Sequence, residues 1–218
     1  MNIFQVNKPG IHYLDEQGNS VQTSTSLFYL LDNSYIEANV SLHLFQNACI
    51  SLSHYMQDRE AQEQTGIPRS FMMRSTFIPA HSYIYSLDTF REVLRVFSKM
   101  TDASPSFTTA LAAFDTAFPK LRDIRNSAHH MEDRVRRLKS GGRTINVQPA
   151  TTTAFVTNGN GIVLDNISGN RYGTTIEDGT FAELEISDSK MTELQKIYQT
   201  LVDACSWAGG FGPFPVII

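Results

Sequence analysis

Cysteine is scarce in this chain: of 218 residues only Cys49 and Cys205 carry thiols, far apart on segments of helical pattern. With no CxxC pair and no Cys/His cluster, neither a disulfide scaffold nor a metal centre is expected. Long apolar runs are missing as well, since none approaches the ~18–20 residues that cross a bilayer. Met1 to Gly10 lacks the charged-then-apolar pattern of a secretory leader, so the expected location is cytoplasmic, with no membrane partner. Internal repeats and low-complexity tracts are also absent. No excess of positive charge is seen overall: 18 Lys+Arg stand against 22 Asp+Glu, a net charge of −4. That balance excludes a surface that is basic all over, the footprint of a dedicated DNA-binding protein. What the chain does hold is 41% apolar residues, enough to build a core, which excludes general disorder. Its length suits one domain with elaborations, or at most two small ones.

Charge becomes informative once it is divided. Between Pro119 and Arg143 stand Lys120, Arg122, Arg125, Arg134, Arg136, Arg137, Lys139 and Arg143, against only Asp123, Glu132 and Asp133. Eight bases against three acids make this segment +5, so the remainder of a −4 chain carries −9. One basic stretch is set in an acidic protein.

The first 32 residues read as an arm, with turn signals at Gly10, Gly18 and Asn19. Asn33 or Ser34 then caps a helix running to about Gln64, with Ile36, Val40, Leu44, Ala48, Leu52 and Tyr55 as its apolar stripe. A second helical region, interrupted near Pro79, carries Ile84, Leu87, Phe90, Leu94 and Phe97. Ser104-Pro105 is a helix start, a capping hydroxyl followed by proline in the first turn. Phe107, Leu111, Phe114, Phe118, Leu121, Ala128, Val135 and Leu138 continue the helical spacing to Gly141-Gly142, with a kink or split expected at Pro119. Beyond the glycines the pattern turns β-rich: Thr151–Val156, Gly161–Leu164, Tyr172–Ile176 and Phe181–Ile186, the last two joined by the hairpin dipeptide Asp178-Gly179. Asp188 caps a last helix with Met191, Leu194, Ile197, Leu201 and Ala204 on one face. The tail from Gly209 is Gly/Pro-rich yet apolar, so it is expected to dock on its own domain or on a partner.

The constellation that can carry chemistry lies in the basic segment, Arg122 to Arg134. At about 100° per helical residue, Arg122, Arg125 and His129 share one side, and Arg125 and Glu132 flank the apolar stripe. His130 points elsewhere, with Asn126, Arg134 and Arg137 as neighbours; it meets Arg125 only if the helix is distorted or a second protomer supplies the other half. Histidine transfers protons near neutral pH, and a guanidinium grips phosphate and stabilises charge building on it. Metal-free RNA cleavage needs those two roles, because the ribose 2′-hydroxyl is itself the nucleophile. The bland alternative is an Arg125–Glu132 salt bridge with histidines in a core or dimer contact.

Arg125-Asn126-Ser127-Ala128-His129-His130 resembles the signature of the HEPN superfamily (higher eukaryotes and prokaryotes nucleotide-binding domains): Arg, a polar residue, three free positions, His. Arg125, Asn126 and His130 fit the commonest spacing, while Arg122 to His129 fits a longer one, so Arg122, His129 and Glu132 stand as alternates. The resemblance implies a mainly α, HEPN-like helical bundle over residues 33–207, with a small antiparallel β insertion at about 144–187 before the last helix and a tail at 208–218. It implies a homodimer through the motif-bearing helix and, for one branch of the family, a toxin or phage-defence endoribonuclease without metal or cofactor. In that reading Arg125 holds the scissile phosphate, His130 is the general acid/base and Asn126 orients them. Arg134, Arg137 and Lys139 bind RNA phosphates, and an antitoxin is a possible protein partner. For the other branch it implies a catalytically silent nucleotide-binding or scaffold domain.

Other combinations are weaker. Cys49 and His54 lie on different helix faces, which points to a buried thiol rather than a dyad. Gly159-Asn160-Gly161 opens no helix, so it is not a phosphate loop. Asp165, Glu177, Asp178, Glu183, Glu185 and Asp188 read as a solvated acidic face, and His12, His43 and His81 have no partner in the sequence pattern.

Overall fold

The computed structural model describes residues 2–15, 17–57, 63, 66–100, 104–139, 141–151, 156–158, 161–210 and 212–215. The chain forms β1 (Val6–Asn7), β2 (His12–Leu14), α1 (Gln22–Gln57), α2 (Arg69–Phe97), α3 (Pro105–Ala117), α4 (Leu121–His129) and α5 (Met131–Val135). It continues through β3 (Leu138–Lys139), β4 (Arg143–Thr144), β5 (Ala150–Thr151), β6 (Val156–Thr157), β7 (Asn166–Ser168), β8 (Arg171–Thr175) and β9 (Phe181–Glu185). The last elements are α6 (Asp188–Asp203), β10 (Ser206–Ala208) and β11 (Pro213–Phe214). The described residues are therefore mainly helical with small antiparallel sheets, as the pattern of periodicities indicates. They divide into two compact units, Met1–Val40 with Tyr85–Pro119 and Asp188–Ile218, and Ser41–Ile84 with Lys120–Ser187.

In the first unit the core is aromatic. Phe28, Leu31, Tyr35 and Ala38 of α1, Leu87, Phe90 and Leu94 of α2, and Met191, Leu194, Tyr198 and Leu201 of α6 are fully buried. Phe97 stacks on Phe107 at 4.3 Å between centroids, and Phe90 on Phe114 at 5.8 Å. Contacts of this geometry add to the burial term. The α2 stripe follows the sequence spacing, and the α6 stripe does so at Met191, Leu194 and Leu201, whereas Tyr198 and Val202 are buried in place of the half-buried Ile197 and the exposed Ala204. The α1 stripe does not follow it: Val40 and Leu44 are exposed, and the buried face is Phe28, Leu31, Tyr35, Ala38, Leu42 and Phe45. This helix carries apolar residues at helical spacing on two faces, and packing selects the aromatic one.

Residues 1–32 are not a free arm. Helix α1 begins at Gln22, β1 pairs with β11 and β2 with β10, both antiparallel. Lys8 is 3% exposed, with its ammonium 2.6 Å from Asp32 and over the Trp207 ring at 4.9 Å. Tyr198 donates a second hydrogen bond to Asp32. A buried cation held by a carboxylate and ring faces ties the N-terminal strand to α1, α6 and the C-terminal strands. The described part of the tail docks within this unit, and Phe211 and Val216–Ile218 lie outside the described residues.

Helix α3 starts as expected, Ser104 Oγ accepting from the Ser106 amide at 3.3 Å with Pro105 in the first turn. The expected split at Pro119 is present: α3 ends at Ala117 and α4 begins at Leu121, after Lys120 in a left-handed turn (φ 61°). Pro79, by contrast, does not interrupt α2. Thr76, Ala80, Tyr83 and Ile84, buried on either side of it, hold the helix through the missing N–H.

The second unit contains the sheet β7-β8-β9. Strands β8 and β9 fall within a residue of the sequence expectation, Tyr172 opposite Leu184. Gly179 adopts φ +92° in their turn, where a Cβ would lie 2.0 Å from the Asn146 carbonyl oxygen, so only glycine fits. Gly161–Leu164 is not a strand; Val163 instead exchanges hydrogen bonds with Thr175, and β7 is the third strand. Most of the expected strand Thr151–Val156, and Gly159-Asn160 of the expected turn, lie outside the described residues.

Asp165 is not on a solvated face. Its Oδ1 accepts from Tyr172 OH at 2.6 Å and lies 3.1 Å from His81 Nε2, while Arg74 donates to Oδ2 at 2.9 Å. Burial pushes this carboxyl up, but the hydrogen bonds from His81, Tyr172 and Arg74 outweigh it and hold it at about 2. A carboxyl lowered in the folded state contributes stability that is complete above its unfolded value of 3.8 and is lost as pH falls through about 2. The Asp165→Asn variant is therefore expected to melt below wild type at neutral pH, by about 2 kcal/mol in stability. The gap should close as the melts are repeated down to about pH 2.

Candidate functional site

Helix α4 is amphipathic: Leu121, Ile124, Ser127 and Ala128 are buried, while Arg122 and His129 face solvent. Arg125 and Asn126 are half-buried at the rim, and Arg125 Nη1 donates to Asn126 Oδ1 at 2.9 Å. The guanidinium is thus hydrogen-bonded to its sequence neighbour.

His130 ends the helix. Its φ −112° and ψ 46° are not helical, although its amide still donates to the Asn126 carbonyl at 3.0 Å. The chain turns and restarts as α5, with the Asp133 and Arg134 amides both donating back to the His130 carbonyl at 3.2 Å. The helix is distorted at the very residue where a straight helix would carry the imidazole away from Arg125. The His129 and His130 rings meet edge to face at 4.9 Å, and His130 Nδ1 lies 3.6 Å from Glu132 Oε1.

The break also resets the helical phase, which corrects three expectations. Glu132 does not flank the apolar stripe; it is exposed in the first turn of α5. Val135 is exposed rather than buried. Arg134, expected to contact phosphate, is 1% exposed. Its Nε donates to Ser127 Oγ at 3.1 Å and its Nη1 to the Leu138 carbonyl at 2.6 Å. It fastens the turn to α4 and is not available to a ligand. Arg137, with φ 58°, is exposed, and Lys139 is half-buried on β3. With Arg122, Arg136 and Arg143 also exposed, the segment keeps its basic surface after Arg134 is withdrawn from it.

Two features carried no sequence signal. The His81–Asp165–Tyr172 cluster joins residues more than eighty positions apart, which spacing rules do not reach. The grouping of His130, Glu132 and Asp133, whose ligand atoms lie within 4.8 Å of one another, exists only because of the break. Both cysteines are half-buried, so Cys49 is not the fully buried thiol expected; burial raises the Cys49 thiol and pushes Cys205 up to about 12 against the opposing charge of Lys8, which disfavours the thiolate at both. No family model, no curated protein and no solved structure matches this chain.

Arg134→Ala leaves the Ser127 hydroxyl and the Leu138 carbonyl buried without their donor. The expected loss is about 2–4 kcal/mol in denaturant unfolding, against under about 0.5 kcal/mol for Arg137→Gly, which also relieves a positive φ.

Proposed function

We propose that this chain is a HEPN-like endoribonuclease of toxin or phage-defence type that works without metal, with Arg125 and His130 as its catalytic residues and Asn126 positioning Arg125. The observation that carries the reading is the end of α4 at His130. It leaves an exposed imidazole five positions after Arg125, whose guanidinium donates to Asn126.

The chemistry follows from those groups. RNA supplies its own nucleophile, so the protein must take the proton from the 2′-hydroxyl, stabilise charge on the phosphoryl oxygens, and return a proton to the departing 5′-oxygen. An imidazole serves the first and last steps, and a guanidinium the middle one by two parallel hydrogen bonds. A homodimer through α4 places a second imidazole and a second guanidinium in the same cleft, so that one histidine acts as base while the other acts as acid. It also doubles a +5 segment across the cleft, concentrating the field where the polyanion binds. Arg137 and Lys139 contact flanking phosphates, and the −9 elsewhere limits binding to that cleft. The competing reading is a catalytically silent binding or scaffold domain. It is favoured by the withdrawal of Arg134 into the fold and by the exposed Glu132 carboxylate beside His130, which opposes an incoming phosphate.

Purified protein incubated with RNA in excess chelator is expected to cut it. Alanine at His130 or Arg125 should lower the rate by about 10²–10⁴-fold without changing the melting temperature. Equal cleavage by His130→Ala would remove that residue from the mechanism, and no cleavage by wild type would leave the scaffold reading.

A further inference from the structure

We infer that His130, Glu132 and Asp133 form a site for a divalent ion of the zinc class, and that occupancy switches the Arg125/His130 site off. The inhibitory half rests on the ribonuclease reading; the binding half does not.

The turn that ends α4 makes the site. Because the helix stops at His130 and restarts at Met131, the side chains of Glu132 and Asp133 come back over the imidazole, and three donor atoms lie within 4.8 Å of one another. Around a tetrahedral ion bound at about 2.0–2.2 Å, neighbouring donors sit roughly 3.3 Å apart. The His130 Nδ1 to Glu132 Oε1 separation of 3.6 Å is already close to that. Asp133 also pairs with Arg136, through Oδ1 at 2.5 Å. The turn does not have to be organised by the ion: the His130 carbonyl takes both following amides, and buried Arg134 anchors it. His130 and Glu132 are exposed, so no buried charge must be desolvated and a coordination position stays open to water.

The donor set selects the ion. One imidazole nitrogen and two carboxylate oxygens suit zinc or its late first-row neighbours, whereas magnesium and calcium prefer oxygen alone. Binding requires the neutral imidazole and occupies its Nδ1 lone pair. It fixes the ring on the acid pair and places a divalent charge beside the residue that must exchange protons. A free imidazole cuts; a metallated one does not.

The test pairs binding with activity. In calorimetry with zinc chloride, the intact wild-type chain is expected to bind one ion per chain and Asp133→Asn none; that substitution removes only a surface pair with Arg136 and leaves the fold intact. In the cleavage assay, zinc should slow wild type by about 100-fold and chelator should restore it, while Asp133→Asn cuts at the wild-type rate with or without zinc. Zinc uptake by wild type alone, with neither protein cutting RNA, would keep the metal site and overturn the ribonuclease reading. Cleavage that zinc leaves unchanged, together with no calorimetric binding, would overturn the metal site and keep that reading. Equal zinc binding by wild type and Asp133→Asn would also overturn the site.

Discussion

A guanidinium at 1% exposure, hydrogen-bonded to a serine hydroxyl and a backbone carbonyl, fixes the arrangement of the basic segment. Arg134 joins the buried face of α4, through Ser127, to the start of β3, through the Leu138 carbonyl. Between Ser127 and Arg134 the chain leaves helical geometry at His130. Desolvating a guanidinium is expensive unless its donors are satisfied, and these two bonds satisfy it where the chain turns from α5 into β3. His130, Glu132 and Asp133 lie between Ser127 and Arg134, and Arg134 touches none of their side chains in any contact described above. An arginine expected to contact phosphate instead fastens the turn that carries His130, Glu132 and Asp133.

Local signals in the sequence were read correctly where one local cause dominates. Ser104-Pro105 starts a helix because the cap and the proline act within a single turn, Pro119 separates two, and Asp178-Gly179 closes the β8–β9 hairpin. The α2 stripe from Ile84 to Phe97 is legible because Ile84, Leu87, Phe90, Leu94 and Phe97 keep helical spacing and are all buried. Where two local patterns compete, tertiary packing decides. In α1 two apolar faces share one helix, and the exposed Val40 and Leu44 lie on the one that spacing alone favours. Pro79 sits inside a helix for the same reason: buried residues on both sides outweigh one absent donor.

The candidate site was legible as a set of residues and not as a geometry. Arg125, Asn126 and His130 were singled out by type and spacing, and the structure adds a hydrogen bond from Arg125 to Asn126. The wheel drawn through this segment assumed one continuous helix, so Glu132, Arg134 and Val135 received the wrong phase. That error put Arg134 on the surface and Glu132 beside the core. Non-local pairs such as His81 with Asp165 lay beyond any periodicity, and Asp165, taken for solvated, is held by His81, Tyr172 and Arg74.

The net charge of −4 conceals a +5 segment whose surface remains basic after one arginine is buried, and the proposed chemistry needs no group beyond those displayed there. The central claim is that the RNA 2′-hydroxyl attacks while Arg125 and His130 assist. The most direct measurement is the end-group chemistry of RNA cut by the wild-type protein. The account predicts 2′,3′-cyclic phosphate paired with 5′-hydroxyl ends, and fragments bearing 3′-hydroxyl and 5′-phosphate, the products of an activated water, would contradict it.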